Sequence, residues 1–332
     1  KILKRMELVA NNEPLNMVQQ DVGIVNNQNS FIEANTVEVS LRHLKEKCII
    51  PVFSKDNETT ISHYEFIQKT MDIVSKLFPD SQIQAPEIRV SHIVKGRTPD
   101  AIGKPAKELL ESEKTIYYER CAFLMEIKSV AKEVNGNQLN LSIGGVRAYN
   151  QENLYSTKSL EKFKVFIGFK NMVCTNLCVS TDGLLNDIRV GSVLDLEAKV
   201  VELVSTYDMN RHLDVMRQMS DYVLSEDEFA HLIGKLKMYL SQTKAQHEIG
   251  FPISLNESQL SKVVKDYYNC ENFHMSEDGS ISFWNFYNLL TEANKSSYID
   301  NNLERNVNLY ALMNKLANTK QKGTANWLLP TI

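Results

Sequence analysis

The fold is decided by residues 139–183, LNLSIGGVRAYNQENLYSTKSLEKFKVFIGFKNMVCTNLCVSTDG, in which apolar and polar residues alternate in two runs, 139–143 and 163–179. A period of two is typical of a strand with one buried face. The second run is much longer than an ordinary strand of about 5–6 residues. We therefore expect a bend near Gly168 or Asn171, or two strands in place of one.

Two more strands are predicted upstream, in EIRVSHIVKGR (87–97), with one irregularity, and in TIYYERCAFLMEI (115–127). Both segments are rich in β-branched and aromatic residues, which favour strands. The pair Asn135-Gly136 then favours a tight type I′ turn and hence a hairpin. The pair Gly144-Gly145 allows either a bulge or a close approach of another backbone.

The N-terminal half also contains helix signals. Ser62 followed by Glu65 is a capping box, and the helix that it begins should stop at Pro79. A second, short helix is predicted over KPAKELLES (104–112). The apolar run CIIPVF (48–53) contains a proline, which favours an edge strand or an extended crossing over a central strand.

Downstream of Gly191 the apolar period changes from that of a strand to that of a helix. Two helices are predicted to begin at the caps formed by Ser192 with Asp195 and by Ser225 with Glu228. Three more helices are predicted over the later segments 256–268, 280–295 and 297–318. The last residues form a tail unless Trp327 docks them.

These periods predict an α+β fold, a mostly antiparallel sheet with flanking helices followed by an all-helical C-terminal region. The domain boundary is predicted near residue 190. Residues 1–190 would form the sheet domain, with 1–30 as a flexible arm, and residues 191–332 a helical domain packed on it.

Composition narrows the class of protein. The 332 residues are 43% hydrophobic and carry a net charge of −4, which is ordinary for a globular protein and gives no general attraction to nucleic acid. No run approaches the 18 or so apolar residues of a membrane helix, and the first residues lack a signal-peptide core. Five scattered cysteines suggest reduced thiols. We expect a cytoplasmic protein that contacts no membrane.

The pair Cys174 and Cys178 raises the possibility of a metal or redox site. The spacing is not that of most zinc sites, and no second pair matches it. On a continuous strand the two Cα atoms would lie roughly 13 Å apart, too far for one metal or a disulfide. We interpret both cysteines as buried and structural.

Other chemical signals are weak. The seven histidines are scattered, and HMSEDGSISFWN (274–285) resembles a calcium loop but has His and Asn at its two key positions. No phosphate-binding glycine motif occurs. The sequence therefore predicts no metal, no cofactor and no catalytic residue, although a catalytic site could still assemble from distant residues.

The strongest functional signal is electrostatic. Between residues 134 and 181 there are five basic and two acidic residues, with aromatic residues interleaved, in a chain that is acidic as a whole. Basic and aromatic residues on a sheet are typical of single-stranded nucleic-acid binding. The alternative is an ordinary solvated sheet face. The candidate binding residues, which include a second basic group, are Arg89, Lys95, Arg97, Arg147, Tyr149, Tyr155, Lys158, Lys162, Lys164 and Lys170.

Four strings resemble a Bacteroidetes family defined by a domain of unknown function, DUF3871: EIRVSHIVKGRTPDAIGKPAKELL, EKTIYYERCAFLMEI, LNLSIGGVRAYN and FKVFIGFKNMVCTNLCVSTDG. The resemblance extends over nearly the whole chain. Two segments, VFIGFKNMVCTNL and SFWNFYNLLTEANKS, are also distantly similar to phage- and plasmid-like proteins of unknown function. These resemblances imply carriage on a phage, plasmid or conjugative element. They imply no activity and no catalytic residues.

Three functions follow in order of preference. The first is a non-catalytic protein of a mobile element that associates with single-stranded DNA or RNA through the basic and aromatic residues. The alternative is a module for self-assembly or for interaction with another protein of the mobile element, which the aromatic helix at 283–290 could serve. An enzyme is the third.

Overall fold

The protein is described from a computed structural model that covers residues 30–48, 60–101, 103–152, 160–242, 255–323 and 327–329. Within these residues a seven-stranded antiparallel sheet is formed by β1 (Val37–Glu38), β2 (Glu87–Arg97), β3 (Lys114–Val134), β4 (Asn137–Ala148), β5 (Glu161–Asn171), β6 (Leu177–Cys178) and β7 (Leu184–Val190). The strands follow the order β1-β2-β3-β4-β5-β6. β7 pairs with the first part of β5, and β6 pairs with its last part.

Helices flank the sheet and fill the C-terminal part, which confirms the α+β class. They are α1 (Leu41–Lys47), α2 (His63–Leu77), α3 (Val193–Thr206), α4 (Met209–Gln218), α5 (Glu226–Leu240), α6 (Glu257–Asn269), α7 (Phe283–Asn294) and α8 (Ile299–Lys322). The short strands β8 (Val223–Leu224) and β9 (Ile281–Ser282) pair within this helical part. No helix in the described ranges is long and apolar enough to cross a membrane.

Local sequence signals explain most of these boundaries. Asn135 and Gly136 adopt positive φ angles of 51° and 76°, as a type I′ turn requires, and they join β3 to β4. Ser62 and Glu65 form the predicted capping box at the start of α2. Ser225 forms a second one with Glu228 at the start of α5. These three predictions are confirmed.

The long alternating run is two strands, as one of the alternatives expected. β5 ends at Asn171, whose side-chain oxygen accepts a hydrogen bond from the backbone of Val173 at 3.0 Å. Thr175 then takes a positive φ of 58°, and the chain turns back into β6. Val173 therefore lies on the turn with 42% of its surface exposed. The alternation of apolar residues through Val173 therefore does not reflect one continuous strand face.

Three other expectations have different outcomes. The short helix at 104–112 is replaced by two 3₁₀ turns, Ala106–Glu108 and Glu111–Glu113, because its few residues provide no buried face. Trp327 docks the tail on α5, where Lys235 lies over its ring at 5.1 Å from the centroid. The strand predicted at 48–53 and the arm at 1–30 fall, apart from their end residues Cys48 and Ser30, outside the described residues.

The glycine pair in β4 permits a close approach and forms no bulge, since the pairing with β3 continues through both residues. A Cβ atom at Gly144 would overlap the carbonyl oxygen of Phe123 on β3. At Gly145 it would overlap the ring of Phe66 on α2. Any larger residue here would separate α2 from the sheet.

The sheet is covered on both faces. On one face Phe66 of α2 packs edge-on against Phe123 and Phe163, with ring centroids 5.0 and 4.8 Å away. On the other face the first half of α8 buries Ile299 and Leu303. The cluster on the α2 face continues from the sheet into α5, α6, α7 and the second half of α8. The division into domains near residue 190 stays a prediction.

Candidate functional site

The residues predicted to bind nucleic acid are scattered by the fold. Arg89, Arg147, Tyr149 and Lys170 are buried. Lys95 is exposed, and Arg97, Lys162 and Lys164 are partly exposed. Tyr155 and Lys158 lie outside the described residues. The ten residues therefore do not form one solvent-facing surface, and two buried ion networks explain why.

The first network surrounds Arg147 at the end of β4. Its Nε lies 3.1 Å from the carboxylate of Glu152, and its other nitrogens contact Glu161 and the carbonyl oxygen of Ile61. Burial disfavours the charged guanidinium, but Tyr149 and the two carboxylates outweigh it and hold the pKa of Arg147 above its usual range. Arg147 is therefore a structural cation, and its assignment to a binding surface was wrong.

The second network lies on the opposite face of the sheet. Lys170 Nζ contacts Glu87 at 3.0 Å and Glu126 at 2.9 Å, and Asn140 donates a hydrogen bond to Glu126 at 2.8 Å. Burial again works against the charge, but the two carboxylates keep the pKa of Lys170 above its usual range. A phosphate could reach this amine only by displacing both carboxylates, so Lys170 must also be removed from the binding surface.

Arg89 and Tyr149 were also predicted to bind nucleic acid, and both are buried. Arg89 donates hydrogen bonds of 3.0 Å to the backbone and side-chain oxygens of Thr36, which hold it beneath the segment before β1. The ring of Tyr149 lies under the guanidinium of Arg147 and 4.6 Å from the ring of His63. Neither side chain offers a stacking or phosphate-binding surface to solvent.

Lys162 and Lys164 meet in a pocket of about 380 Å³ at the β7 side of the sheet. Its walls come from β4 and the turn after it, from β5, from β7 and from the first turns of α8. The lining residues are Val146, Ala148, Gln151, Lys162, Phe163, Lys164, Asn186, Asp187, Asn301 and Glu304. The polar groups are two ammonium groups, three amides and two carboxylates.

A β-bulge places two of these polar groups. Phe163 and Val165 of β5 pair with Ile188 and Leu185 of β7, so Asn186 and Asp187 together oppose the single residue between them. On a regular strand two consecutive side chains point to opposite faces. The extra residue changes this, and both side chains line the same pocket.

Lys164 is the most constrained cation of the pocket. Its Nζ donates a 2.6 Å hydrogen bond to the backbone oxygen of Asp300 in α8. Burial lowers its pKa, although Glu304, Asp300 and Asp187 lie close enough to oppose the shift. The pocket thus balances positive and negative groups, which suits a polar ligand with both donors and acceptors better than a simple anion.

The cysteine pair lies across the turn between β5 and β6. Both thiols are free. The chain does not run straight between them, so the spacing of a continuous strand does not apply. Burial raises the pKa of Cys174 to about 12 and that of Cys178 further, which keeps both as neutral thiols. Among the described residues no group of three or more His, Cys, Asp or Glu could hold a metal ion.

None of the histidines in the described ranges lines the pocket. His63 and His212 are buried, and burial lowers the pKa of each to about 3. In the loop that resembles a calcium site, Asp278 accepts hydrogen bonds from the backbone and hydroxyl of Ser280. Ser282 caps α7 by accepting a hydrogen bond from the backbone of Asn285. These residues form a turn into a helix.

The aromatic helix offers no docking surface. Phe283, Trp284, Phe286 and Tyr287 of α7 are at most 2% exposed and belong to the main core cluster. Residues 283–290 are covered by α6, α8 and the sheet, so this helix presents no aromatic face to a partner, and a role in protein–protein interaction stays a prediction.

Comparison with known proteins adds a family. Residues 13–329 match a family model described as "Domain of unknown function, B. Theta Gene description (DUF3871)". The chain belongs to this family. Neither a curated protein nor a solved structure matches the chain significantly. Membership of DUF3871 therefore brings no activity or ligand, and for this DUF3871 protein the pocket must be judged by its own chemistry.

Sequence patterns missed the other five polar residues of the pocket, which are Gln151, Asn186, Asp187, Asn301 and Glu304. One signal was present for the bulge. In LLNDIRV (184–190) the buried apolar positions Ile188 and Val190 are two residues apart, but Leu185 precedes Ile188 by three. Such a break in the period marks an extra residue in a strand. No local signal places α8 beside these strands.

Proposed function

We propose that this DUF3871 protein is a cytoplasmic, non-catalytic protein that binds single-stranded nucleic acid at the pocket between β5, β7 and α8. The observation that supports this is the convergence of Lys162 and Lys164 with three amides, one of them aimed by the bulge. Ammonium groups suit phosphates, and amides and carboxylates suit the exposed edges of unpaired bases. The free cysteines agree with a reducing compartment.

The binding surface proposed here is smaller than the one predicted from the sequence. Single strands are usually held by a long basic groove with stacking aromatic residues. Among the described lining residues the cations are Lys162 and Lys164, and Asp187 and Glu304 balance them. Binding should therefore be weak and limited to one or two nucleotides. Two phosphate contacts predict a slope of about −1.4 when the logarithm of the binding constant is plotted against that of the salt concentration.

The test is removal of the two cations. Lys162→Gln with Lys164→Gln should weaken binding of a fluorescent 20-nucleotide strand about tenfold or more, since each tenfold corresponds to about 1.4 kcal/mol of lost attraction. The salt slope should move toward zero. Fluorescence anisotropy at 50 and 200 mM salt, with both DNA and RNA strands, measures both quantities.

A matched control uses Lys128→Gln with Lys132→Gln, two exposed lysines on the far end of β3. These changes remove the same charge from another strand and should leave the affinity nearly unchanged. Equal losses in the two double variants would indicate general charge attraction and oppose the pocket. If the wild-type protein binds no strand at 50 mM salt, the function to pursue is the alternative, an interaction or self-assembly module without nucleic acid.

The kind of genetic element that carries the gene is a separate proposal. Carriage on a phage, plasmid or conjugative element is what the distant resemblance of VFIGFKNMVCTNL and SFWNFYNLLTEANKS to phage- and plasmid-like proteins would imply. We expect genes for integration, replication or conjugative transfer beside this gene. Flanking sequence from several host genomes decides this, and a fixed neighbourhood of metabolic genes would contradict it.

A further inference from the structure

An exposed tyrosine stands at the start of α8, next to the helix residues that line the pocket. Asn301 and Glu304 both line the pocket, and their spacing of three residues places them on one side of the helix. Tyr298 precedes Asn301 by another three residues, at the N-cap of α8. With 52% of its surface exposed, Tyr298 continues this row of side chains with an aromatic ring that solvent can reach.

Arg120 links this ring to the sheet beside the pocket. Arg120 of β3 pairs with Ala148 of β4, which lines the pocket, and directly opposite residues of an antiparallel pair project to the same face. The guanidinium carbon of Arg120 lies 5.9 Å from the centre of the Tyr298 ring. The ring of Tyr298 is therefore held over the strand that adjoins the pocket.

Asp300 connects the same two parts of the surface. Its carboxylate lies 3.5 Å from Nε of Arg120, and its backbone oxygen accepts the hydrogen bond from Lys164 in the pocket. Arg120 also lies 3.6 Å from the carboxylate of Glu119. Two carboxylates thus balance the charge of Arg120. Its contribution is to support the ring of Tyr298 through a cation–π contact, and it adds no further attraction for phosphate.

We propose that Tyr298 is the stacking platform for the base that adjoins the nucleotide in the pocket. This inference rests on the proposed function, because it requires that a single strand enters the pocket. Sites for single strands combine cations that hold the backbone with exposed aromatic rings on which bases stack. Lys162 and Lys164 provide the cations, and Tyr298 provides the exposed ring that the buried Tyr149 cannot.

Tyr298→Ala should weaken binding of a fluorescent 20-nucleotide strand about tenfold at 50 mM salt, which corresponds to about 1.4 kcal/mol. The slope of the salt plot should not change, since the substitution removes no charge. Tyr298→Phe keeps the ring and should bind nearly as tightly as the wild type. The side chain of Tyr298 makes no capping hydrogen bond, so neither variant takes a cap from α8. Fluorescence anisotropy measures all three affinities.

A strand without bases separates stacking from a change in the fold. An abasic phosphodiester of the same length can contact Lys162 and Lys164 but has no base to stack. The wild type should bind it less tightly than the base-bearing strand, and Tyr298→Ala should bind it as tightly as the wild type does. Tyr268→Ala is the matched control, because Tyr268 is also 52% exposed but lies on α6, which contributes no described residue to the pocket. Its affinity for both strands should equal that of the wild type.

The outcomes distinguish the platform from the pocket. An unchanged affinity of Tyr298→Ala, with affinity lost in the variant Lys162→Gln with Lys164→Gln, overturns the platform and leaves the pocket standing. An equal loss in Tyr268→Ala, or an equal loss of Tyr298→Ala on the abasic strand, also overturns the platform. A wild-type protein that binds no strand at 50 mM salt overturns both proposals.

Discussion

Replacing Arg147 by methionine should lower the free energy of unfolding by about 3–5 kcal/mol, because a buried ion network would lose the guanidinium that contacts both of its carboxylates. Arg147 has a fully buried side chain, and its partners Glu152 and Glu161 are each only 4% exposed. Without the guanidinium these buried carboxylates would lose the cation that contacts both of them, and the carbonyl of Ile61 would lose a donor. Equilibrium urea unfolding followed by circular dichroism measures the loss.

Two control variants test whether the loss of stability comes from the buried carboxylates. Arg189→Met removes an arginine whose pair with Asp187 is 56% exposed on both sides, and it should cost about 1 kcal/mol or less. Adding Glu152→Gln and Glu161→Gln to Arg147→Met should recover much of the loss, since no buried charge then remains. A cost for Arg147→Met below about 1 kcal/mol, or a triple variant weaker than the single one, would contradict the buried-network explanation.

The burial of Arg147 was partly readable from the sequence. Leu139, Leu141 and Ile143 share the face of the alternation on which Arg147 also falls. That face proved to be the one covered by α2, so strand parity alone places Arg147 inside. The local excess of positive charge suggested the opposite, because a count of charges along the chain takes no account of the direction in which each side chain points.

Lys170 shows where prediction of burial from strand parity fails. It shares a face with Lys162 and Lys164, and parity alone would expose all three. α8, about 130 residues later, covers much of this face, and Glu87 and Glu126 from other strands meet Lys170. Strands, caps and the hairpin are set by neighbours in sequence and could be predicted. Which helix covers which part of the sheet depends on long-range packing, and the pocket arises there.

Acidification should destabilise the protein at pH values well above the usual pKa of carboxylates, because two histidines are buried in neutral form. Burial lowers the pKa of His63 and His212 from 6.5 to about 3. Below pH 6.5 these histidines bind protons in the unfolded chain but not in the folded chain. The free energy of unfolding therefore falls as the pH falls, from about pH 6.5 to about pH 3. At pH 5 the two histidines together should cost about 4 kcal/mol relative to pH 7.5.

The environment of each ring explains why neither can be charged in place. The Nδ1 atom of His212 shares a 2.7 Å hydrogen bond with Tyr207, and its Nε2 has no partner among the described groups. His63 bonds the carbonyl of Tyr118 at 2.8 Å through Nε2 and lies near the cation of Arg147. A second proton on either ring would therefore be a buried charge, next to another cation in the case of His63.

Urea unfolding at half-unit steps from pH 7.5 to 5 measures this effect. Burial raises the pKa of Glu152, so protonation of this carboxyl opposes the loss of stability on acidification, and substitution of the histidines isolates their own share of the slope. His63→Gln and His212→Gln should each lower stability at pH 7.5 but remove about half of the slope, since glutamine takes up no proton. His274→Gln, at an exposed histidine, should change neither. A stability that stays level down to pH 5, or a slope that survives both buried substitutions, would show that these rings are protonated in the folded chain and that the core around Tyr207 and Tyr118 admits water.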